Sequence, residues 1–154
     1  MLLSEFLDFD AIKTGFPAGS KRGLLQQLAH LAGQRLGLDS GAILASLSER
    51  ERLGSTGFGQ GFAIPHGKIE GLNRIYGLFV RLGDPVDYKA LDDVRVDLVF
   101  LLLSPPESGA EHLKALAAIS RMARNGTTLE KMRGARSRDA LAAVLMGADE
   151  RDAA

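Results

Sequence analysis

A single histidine stands in the segment GFAIPHGK, between a proline that restricts the backbone and a glycine that frees it. Pro65 fixes its own φ angle and favours extended geometry at the residue before it, so His66 is predicted to follow a short strand. Gly67 is expected to leave the imidazole open from its C-terminal side. An imidazole nitrogen is available near pH 7 as a base, a ligand or a nucleophile. A turn histidine that only bonds a carbonyl remains an equal alternative.

Arg50 could share a site with this histidine, because it continues an apolar helical stripe. The stripe begins with Ile43 and Leu47 at helical spacing, so the guanidinium is predicted on the inner side of the helix. An arginine in that position normally has an anionic partner, since an unpaired buried charge is costly. The partner is either a bound anion or a carboxylate such as that of Glu51 or Asp97.

The two remaining histidines differ in their settings. His112 falls in the first turn of a helix predicted to begin after Ser108, beyond the end of an apolar strand. Ligands bind at such ends of open α/β sheets, and a helix N-terminus favours a bound anion. The alternative for His112 is a ring that shields the helix edge. His30 lies out of phase with the leucines of its helix and is expected to be solvated, without a role.

Other site chemistries fit the sequence less well. GFAIPHGKI has five residues between Gly61 and Gly67, where a P-loop has four, and GFGQG lacks the dinucleotide-binding spacing. Cysteine is absent, and the two histidines have no obvious third ligand, so no metal and no cofactor are predicted. Ser55 and Thr56 could be nucleophiles with His66 as their base, but no G-x-S-x-G elbow is present.

The composition is that of a globular protein, with 154 residues of which 45% are hydrophobic and 25% are charged. Lysine plus arginine and aspartate plus glutamate both number 19, so no net charge attracts nucleic acid or an anionic membrane. The longest apolar run, residues 98–103, is too short to cross a bilayer, and the N-terminus lacks a basic signal-peptide region. We expect a cytoplasmic single-domain protein with no nucleic-acid partner and no membrane insertion.

Helices and strands must position these side chains. Helical periodicity and capping residues predict five helices. The first two span 21–37, capped by Ser20, and 41–53, capped by Asp39 or Ser40. The third follows Ser108, which forms a capping box with Glu111; the fourth is short and capped by Thr127 or Thr128; the fifth runs from Ser137 to Met146. The inner stripe of the third helix is predicted as Leu113, Leu116, Ile119, Ser120 and Ala123. Apolar runs predict strands at 62–64, 74–82 and 96–104, with a loop at 54–61. Helices around an apolar strand set indicate an α/β domain.

The segment RERLGSTGFGQGFAIPHGK resembles the active-site signature of enzyme IIA of the bacterial phosphoenolpyruvate-dependent phosphotransferase system, mannitol/fructose type. GSTGFG and the short chain are similar to the nitrogen-regulatory branch of that family. The resemblance continues through SKRGLLQQLAHLAGQRL, DLVFLLLSP and EHLKALAAISRMAR, which brings it to about nine-tenths of the chain. It implies one α/β domain, a mixed sheet flanked by helices, over residues 1–148, followed by a frayed tail at 149–154.

The resemblance also implies roles for the candidate residues. His66 matches the family histidine that a small histidine phosphocarrier protein phosphorylates on a ring nitrogen. Arg50 and His112 match residues that line the phosphate pocket. Ser55 and Thr56 are expected to donate hydroxyl groups to the phosphate, and histidine-to-histidine exchange requires no cofactor.

The implied function is that of a regulatory phosphoacceptor, which acts on target proteins according to its phosphorylation state. It is a phosphotransferase component that does not turn over a small-molecule substrate alone. The alternative is a sugar-transport enzyme IIA that passes the phosphoryl group to a IIB partner. Some sugar-type members carry an acidic residue where this chain has Gln60, which fits poorly with that alternative.

Overall fold

The computed structural model describes residues 1–153, with side chains to residue 149. Its six strands form one mixed sheet: β1 (Lys13–Phe16), β2 (Gly57–Gly59), β3 (Phe62–Ala63), β4 (His66–Lys68), β5 (Tyr76–Val86) and β6 (Val96–Ser104). Five helices flank it: α1 (Lys21–Leu36), α2 (Ser40–Arg52), α3 (Gly109–Ala123), α4 (Gly126–Gly134) and α5 (Arg138–Ala153). Short 3-10 helices lie at Leu3–Glu5 and Phe9–Ala11. The predicted α/β domain with a mixed sheet is confirmed.

The strand order is β1-β5-β6-β3-β2, and β4 also pairs with β6. β5 and β6 are antiparallel, whereas β3 and β4 both run parallel to β6 on its other side. β6 therefore has neighbouring strands on both sides, β5 on one and β3 and β4 on the other. It carries the continuous apolar sequence expected of a strand covered on both faces.

Alternate residues of β6 enter two separate cores. One face packs against α1 and α2 through Val99, Leu101 and Leu103. The other packs against α3, α4 and α5 through Leu98, Phe100 and Leu102. All six side chains are fully buried, so the sheet is the middle layer of a three-layer domain.

The strongest local signals predicted their elements correctly. Ser20 Oγ accepts a hydrogen bond from the Gly23 amide at 3.0 Å and caps α1. Asp39, one of the two residues predicted as the cap of α2, accepts from the Ala42 amide at 3.2 Å. The bounds of β6 agree with the predicted strand, and His30 is exposed as expected.

Several elements differ from the sequence predictions. The loop predicted at 54–61 contains β2, which forms an antiparallel pair with β3. β5 continues to Val86, beyond the predicted end at residue 82. β1, which pairs with β5 in parallel, was not predicted, because its four residues have no apolar alternation. α4 is capped by Asn125, which accepts from the Thr128 amide, and not by a threonine.

The predicted inner stripe of α3 was correct at Ile119 and Ala123, which are buried, but wrong at its first residue, Leu113. Leu113 is 66% exposed, whereas His112, Ala115, Ile119 and Met122 are buried. The predicted capping box is also absent, since the Ser108 hydroxyl donates to the Pro105 carbonyl at 2.7 Å and caps nothing. The helix is therefore rotated so that His112 faces inward.

The C-terminal helix is longer than predicted. α5 continues through Ala153, and the Asp149 side chain is buried and accepts hydrogen bonds from the Leu3 and Ser4 amides. The prediction of a frayed tail over residues 149–154 is thus wrong at residue 149. Residue 154 lies outside the described residues. Within the described part of the chain, no helix is both long and apolar enough to span a bilayer.

Candidate active site

The position of His66 follows from the pairing of β4 with the end of β6. His66 lies opposite Leu102, and the Pro65 carbonyl accepts a hydrogen bond from the Leu102 amide at 3.0 Å. The strand that carries the ring, β4, is therefore paired with β6, which is almost entirely buried. This placement agrees with the predicted strand-edge position.

Gly67 has a different purpose from the one predicted. It is buried, and a Cβ atom there would overlap the side chain of Ser46 on α2. Ser46 Oγ also donates to the Lys68 carbonyl at 2.9 Å. The glycine thus permits α2 to approach β4 closely, which brings Arg50, one turn further along α2, to the imidazole.

The hydrogen bonds of His66 define its tautomer. Nδ1 lies 2.7 Å from the Ile64 carbonyl oxygen, which can only accept, so Nδ1 carries the proton. Nε2 then holds the lone pair and accepts from Arg50 Nε at 3.2 Å. Arg50 Nη1 donates to the Gly54 carbonyl at 2.9 Å. Neither Glu51 nor Asp97 pairs with Arg50, so the carboxylate alternative for its partner was wrong.

His112 lies beside His66, with the ring centroids 5.6 Å apart. Its Nδ1 is 2.6 Å from Oγ of Ser104, the last residue of β6, which is fully buried. The helix start and the strand end are thereby joined through one hydrogen bond. Sequence reasoning missed Ser104, although its position eight residues before His112, at the end of the strand, was visible.

Both rings are held in the neutral form. Burial lowers the pKa of His66, and the nearby Arg50 charge lowers it further, against the opposing hydrogen bond to Ile64. The pKa of His112 is lowered to about 4 by burial, by the positive charge that His66 carries when it is protonated, and by the charge of Lys68. Neutral imidazoles at pH 7 leave the His66 Nε2 lone pair available as a nucleophile.

These side chains line an open cleft of about 510 Å³, which we call the histidine cleft. Its lining residues are Ser46, Glu49, Arg50, Leu53, His66, Gly67, Lys68 and His112. The structure thus brings together three of the predicted site residues, Arg50, His66 and His112. An anion that entered would meet two rings and two cationic side chains.

Ser55 and Thr56 do not line the histidine cleft. Thr56 Oγ1 contacts the Glu51 carboxylate and the Tyr88 hydroxyl, the latter at 2.9 Å. The Ser55 hydroxyl accepts from the Gly57 amide at 3.1 Å. Their hydroxyl groups are thus engaged in holding the loop, and direct phosphate binding by them stays a prediction. The Glu51 side chain is largely buried in this network.

Lys68 is a site residue that sequence reasoning did not select. It is exposed and lines the histidine cleft, and its positive charge helps to lower the pKa of His112. Residues i and i+2 of a strand lie on the same face, so a strand at 66–68 would have predicted Lys68 beside His66. The two glycines nearby concealed that strand.

A metal centre has no support in this region. Among the described residues, no group of three or more histidine, cysteine, aspartate or glutamate side chains is arranged to hold a metal ion. The polar groups that line the histidine cleft include the donors of Arg50 and Lys68, the unprotonated nitrogen of His66 and the exposed carboxylate of Glu49, which pairs with Arg52. This set suits an incoming phosphoryl group.

A profile of the family described as "Phosphoenolpyruvate-dependent sugar phosphotransferase system, EIIA 2" matches residues 5–147. The chain belongs to this family. A protein named "Nitrogen regulatory protein" from Bradyrhizobium diazoefficiens is 43% identical over 94% of this chain and 95% of its own. A "PTS system fructose-specific EIIA component" from Haloferax volcanii is 32% identical over 93% of this chain and 94% of its own.

A solved structure gives the same assignment. Nitrogen regulatory protein IIA-Ntr from Neisseria meningitidis superposes with a TM-score of 0.87 at 33% identity, over 93% of this chain and 98% of that one. The predicted membership of the EIIA family, and its similarity to the nitrogen-regulatory branch, are confirmed. As an EIIA family member, the chain is a component of phosphotransfer.

Proposed function

We propose that this protein accepts a phosphoryl group on Nε2 of His66 from a histidine phosphocarrier protein, and that its phosphorylation state regulates target proteins. The observation that carries the proposal is the His66 tautomer. The Ile64 carbonyl holds the proton on Nδ1, so the lone pair of Nε2 faces the Arg50 guanidinium. The reaction is expected to take place in the cytoplasm, as the sequence also predicts.

The transfer is an exchange between two imidazoles. The Nε2 lone pair of His66 forms a new P–N bond while the P–N bond of the donor phosphohistidine breaks, and the bonding pair returns to the donor ring. Each ring keeps the proton on its other nitrogen, so no further reactant is needed. Arg50 moves its Nε donor from Nε2 to an equatorial phosphoryl oxygen, where it neutralises charge.

His112 supplies a second donor in this mechanism. Oγ of Ser104 lies 2.6 Å from Nδ1 of His112. In the proposed mechanism the Ser104 hydroxyl donates to this nitrogen, so that the proton of the neutral ring is on Nε2. That N–H group then bonds a phosphoryl oxygen, and the Lys68 ammonium adds charge at the rim of the histidine cleft. His112 is thus a donor only while Ser104 holds this tautomer.

The regulatory role is favoured over sugar transport by the relatives. The more similar curated relative and the solved neighbour both carry a nitrogen-regulatory name. Transfer to a IIB protein is the second candidate, which the fructose-specific relative supports at lower identity. A fructose-type IIB protein added to the phosphorylated chain discriminates between them: rapid quantitative transfer would favour transport, and a stable phosphohistidine favours regulation.

Incubation with phosphoenolpyruvate, enzyme I and a histidine phosphocarrier tests the phosphoacceptor. We expect one acid-labile, alkali-stable phosphoryl group on the wild type and none on His66→Ala. ³¹P and ¹⁵N spectra are expected to show phosphorus on Nε2. Unchanged labelling of His66→Ala, or a phosphoryl group on Nδ1, would contradict the proposal.

Variants around the ring separate the roles. Arg50→Ala and Ser104→Ala are each expected to fold and to accept the phosphoryl group at least about tenfold more slowly. The first variant loses a donor to the phosphoryl oxygens, and the second loses the hydrogen bond that holds the His112 donor in its tautomer. Ser108→Ala is the matched control for Ser104→Ala, since its hydroxyl bonds a carbonyl and touches neither ring. His30→Ala is expected to match the wild type.

A further inference from the structure

A second cleft lies on the other side of α2 and shares no lining residue with the histidine cleft. It is bounded by the start of α1, the outer face of α2 and the chain at the end of β5, and its volume is about 820 Å³. We call it the basic cleft. A volume of this size is within the range of small-molecule binding sites in proteins, which is roughly 300–1,000 Å³.

Positive charge is concentrated in the basic cleft, although the chain as a whole is neutral. Five basic and two acidic side chains line it, an excess of three positive charges. Both acids are already paired, Glu51 with Lys21 at 2.7 Å and Asp87 with Lys89 at 2.8 Å. The remaining basic residues are Arg22, Arg52 and Arg95.

Two of these arginines are available to a ligand. Arg22 and Arg95 are exposed, and neither has a side-chain hydrogen bond or ion pair within the part of the chain that the structure describes. Arg52 pairs only with Glu49, at 3.3 Å between two exposed side chains, which is a weak interaction. Several guanidinium groups around one cavity favour a ligand with more than one phosphate group.

The inner surface of the basic cleft is apolar. It is formed by Leu25, Leu44, Pro85 and Val86, of which Leu25 and Val86 are nearly fully buried. Ser20 and Ser48 also line the cleft and carry hydroxyl groups. These groups correspond to the parts of a nucleotide: the apolar surface suits its base ring, the hydroxyl groups suit its sugar, and the arginines suit its phosphates.

A chain of hydrogen bonds connects the basic cleft to His66. Lys21 holds the Glu51 carboxylate, which accepts from the Thr56 amide at 3.2 Å. The Thr56 carbonyl accepts from the Ile64 amide at 3.0 Å, and the Ile64 carbonyl accepts from His66 Nδ1 at 2.7 Å. A phosphate that attracts Lys21 would therefore weaken the anchor of the loop that positions His66.

We propose that the basic cleft binds a nucleotide polyphosphate and that its occupancy repositions His66 through Lys21 and Glu51. Binding stands on the cleft alone, whereas an effect on phosphoryl transfer rests on the proposed function. The expected effect is slower acceptance, by about threefold or more, since a less firmly held ring is aligned for a smaller fraction of the time.

Titration of the ¹⁵N-labelled protein with ATP, without magnesium and at low ionic strength, tests binding. We expect saturable shifts of the amides of residues 19–25 and 85–89 with a Kd below about 1 mM, and a shift of the His66 amide that follows the same curve. Adenosine, which lacks the phosphates, and inorganic triphosphate, which lacks the ring and the sugar, are each expected to bind at least about tenfold more weakly. Triphosphate that binds as tightly as ATP would overturn the nucleotide assignment.

The double variant R22E/R95E is expected to lose ATP binding, whereas R121E/R124E, with the same change of charge on exposed residues in the last turn of α3 and just after it, keeps it. Binding that survives in R22E/R95E, or no saturable shift up to about 10 mM ATP, would overturn the site. A silent His66 amide would overturn the coupling. A wild type that binds ATP but accepts no phosphoryl group would contradict the proposed function and leave the basic cleft intact.

Discussion

At the scale of single residues, the histidine cleft combines a neutral nucleophile with a cation that has no carboxylate partner among the described residues. Arg50 donates to a ring nitrogen and to a backbone carbonyl, both of which are uncharged. A guanidinium in that setting gains more from an arriving phosphoryl group than one already paired with an acid would. The same charge helps to keep His66 unprotonated, so in the proposed transfer one arginine would prepare both the nucleophile and the site for the arriving oxygens.

The depressed pKa of His112 has a consequence for stability. Its pKa is about 4 in the folded protein and 6.5 in an unfolded reference, so the unfolded chain binds the extra proton between these values. The free energy of unfolding must therefore fall as the pH drops through this window, by roughly 2 kcal/mol between pH 7 and pH 5 from this residue alone. Urea unfolding at the two pH values measures the loss.

The variant His112→Gln isolates this contribution. It is expected to lose roughly 2 kcal/mol less than the wild type between pH 7 and pH 5, because glutamine does not titrate. His30→Gln removes an exposed ring outside the cleft and is expected to keep the wild-type loss. An identical loss in His112→Gln and the wild type would show that the ring is not held neutral by its surroundings.

At the scale of elements, the distance between α2 and β4 determines whether Arg50 reaches His66. Gly67→Ala would place a methyl group against Ser46, so the helix must move away from the strand. We expect a loss of about 1–3 kcal/mol in the free energy of unfolding and slower phosphoryl acceptance, as overpacking displaces the arginine. Chemical denaturation and the phosphotransfer rate check the two effects.

Two further variants make this test specific. Ser46→Gly in the Gly67→Ala background removes the contacted side chain and is expected to restore part of the phosphotransfer rate. Gly147→Ala, inside α5 with open space at its Cβ position, is expected to be neutral or stabilising. If Gly67→Ala keeps the wild-type rate, the close approach of α2 does not control the position of Arg50.

Local sequence signals predicted the elements whose causes are local. The Ser20 hydroxyl caps α1 by accepting from the amide of Gly23, three residues later, and the unbroken apolar run at 96–104 specifies a buried strand. The phase of α3 could not be read in this way. Leu113 is exposed because the hydrogen bond between Ser104 and His112 orients the helix, and that contact exists only after the sheet has formed.

The site was predictable in its chemistry more than in its supporting contacts. The sequence indicated His66, Arg50 and His112, since their residue types are unusual for their positions. It did not indicate Glu51, which looks like a solvated residue at a helix end but is fixed by Lys21 and Tyr88. These partners come from α1 and from the segment after β5, so only the folded chain brings them together.

At the scale of the whole molecule, a neutral chain separates its charges between two clefts. The histidine cleft carries cationic groups at the strand end, and the basic cleft carries them at the start of α1. Phosphorylation of His66 would add close to two negative charges to a protein of zero net charge. The surface seen by a partner protein would then change from positive to negative at one end of the sheet, which is how a regulatory phosphoacceptor can change its partners.

A carboxylate near the end of α5 binds the N-terminal segment of the chain. Asp149 lies within the last part of α5, where the helix dipole disfavours a negative charge. It is nevertheless buried, and its two oxygens accept from the amides of Leu3 and Ser4 at 2.6 and 2.8 Å. These amides begin a 3-10 helix and have no other partner within it, so the carboxylate stabilises both ends of the chain together.

Asp149→Ala should therefore lower the free energy of unfolding by about 2 kcal/mol, because one buried and one part-buried amide lose a charged acceptor. Hydrogen exchange at the Leu3 and Ser4 amides is expected to accelerate more than exchange in β6. Asp139→Ala, on the same helix with a side chain that is 90% exposed, is the control and should leave both measurements nearly unchanged. Equal stabilities of the two variants would mean that α5 holds the N-terminal segment by apolar packing alone, with no contribution from the buried carboxylate.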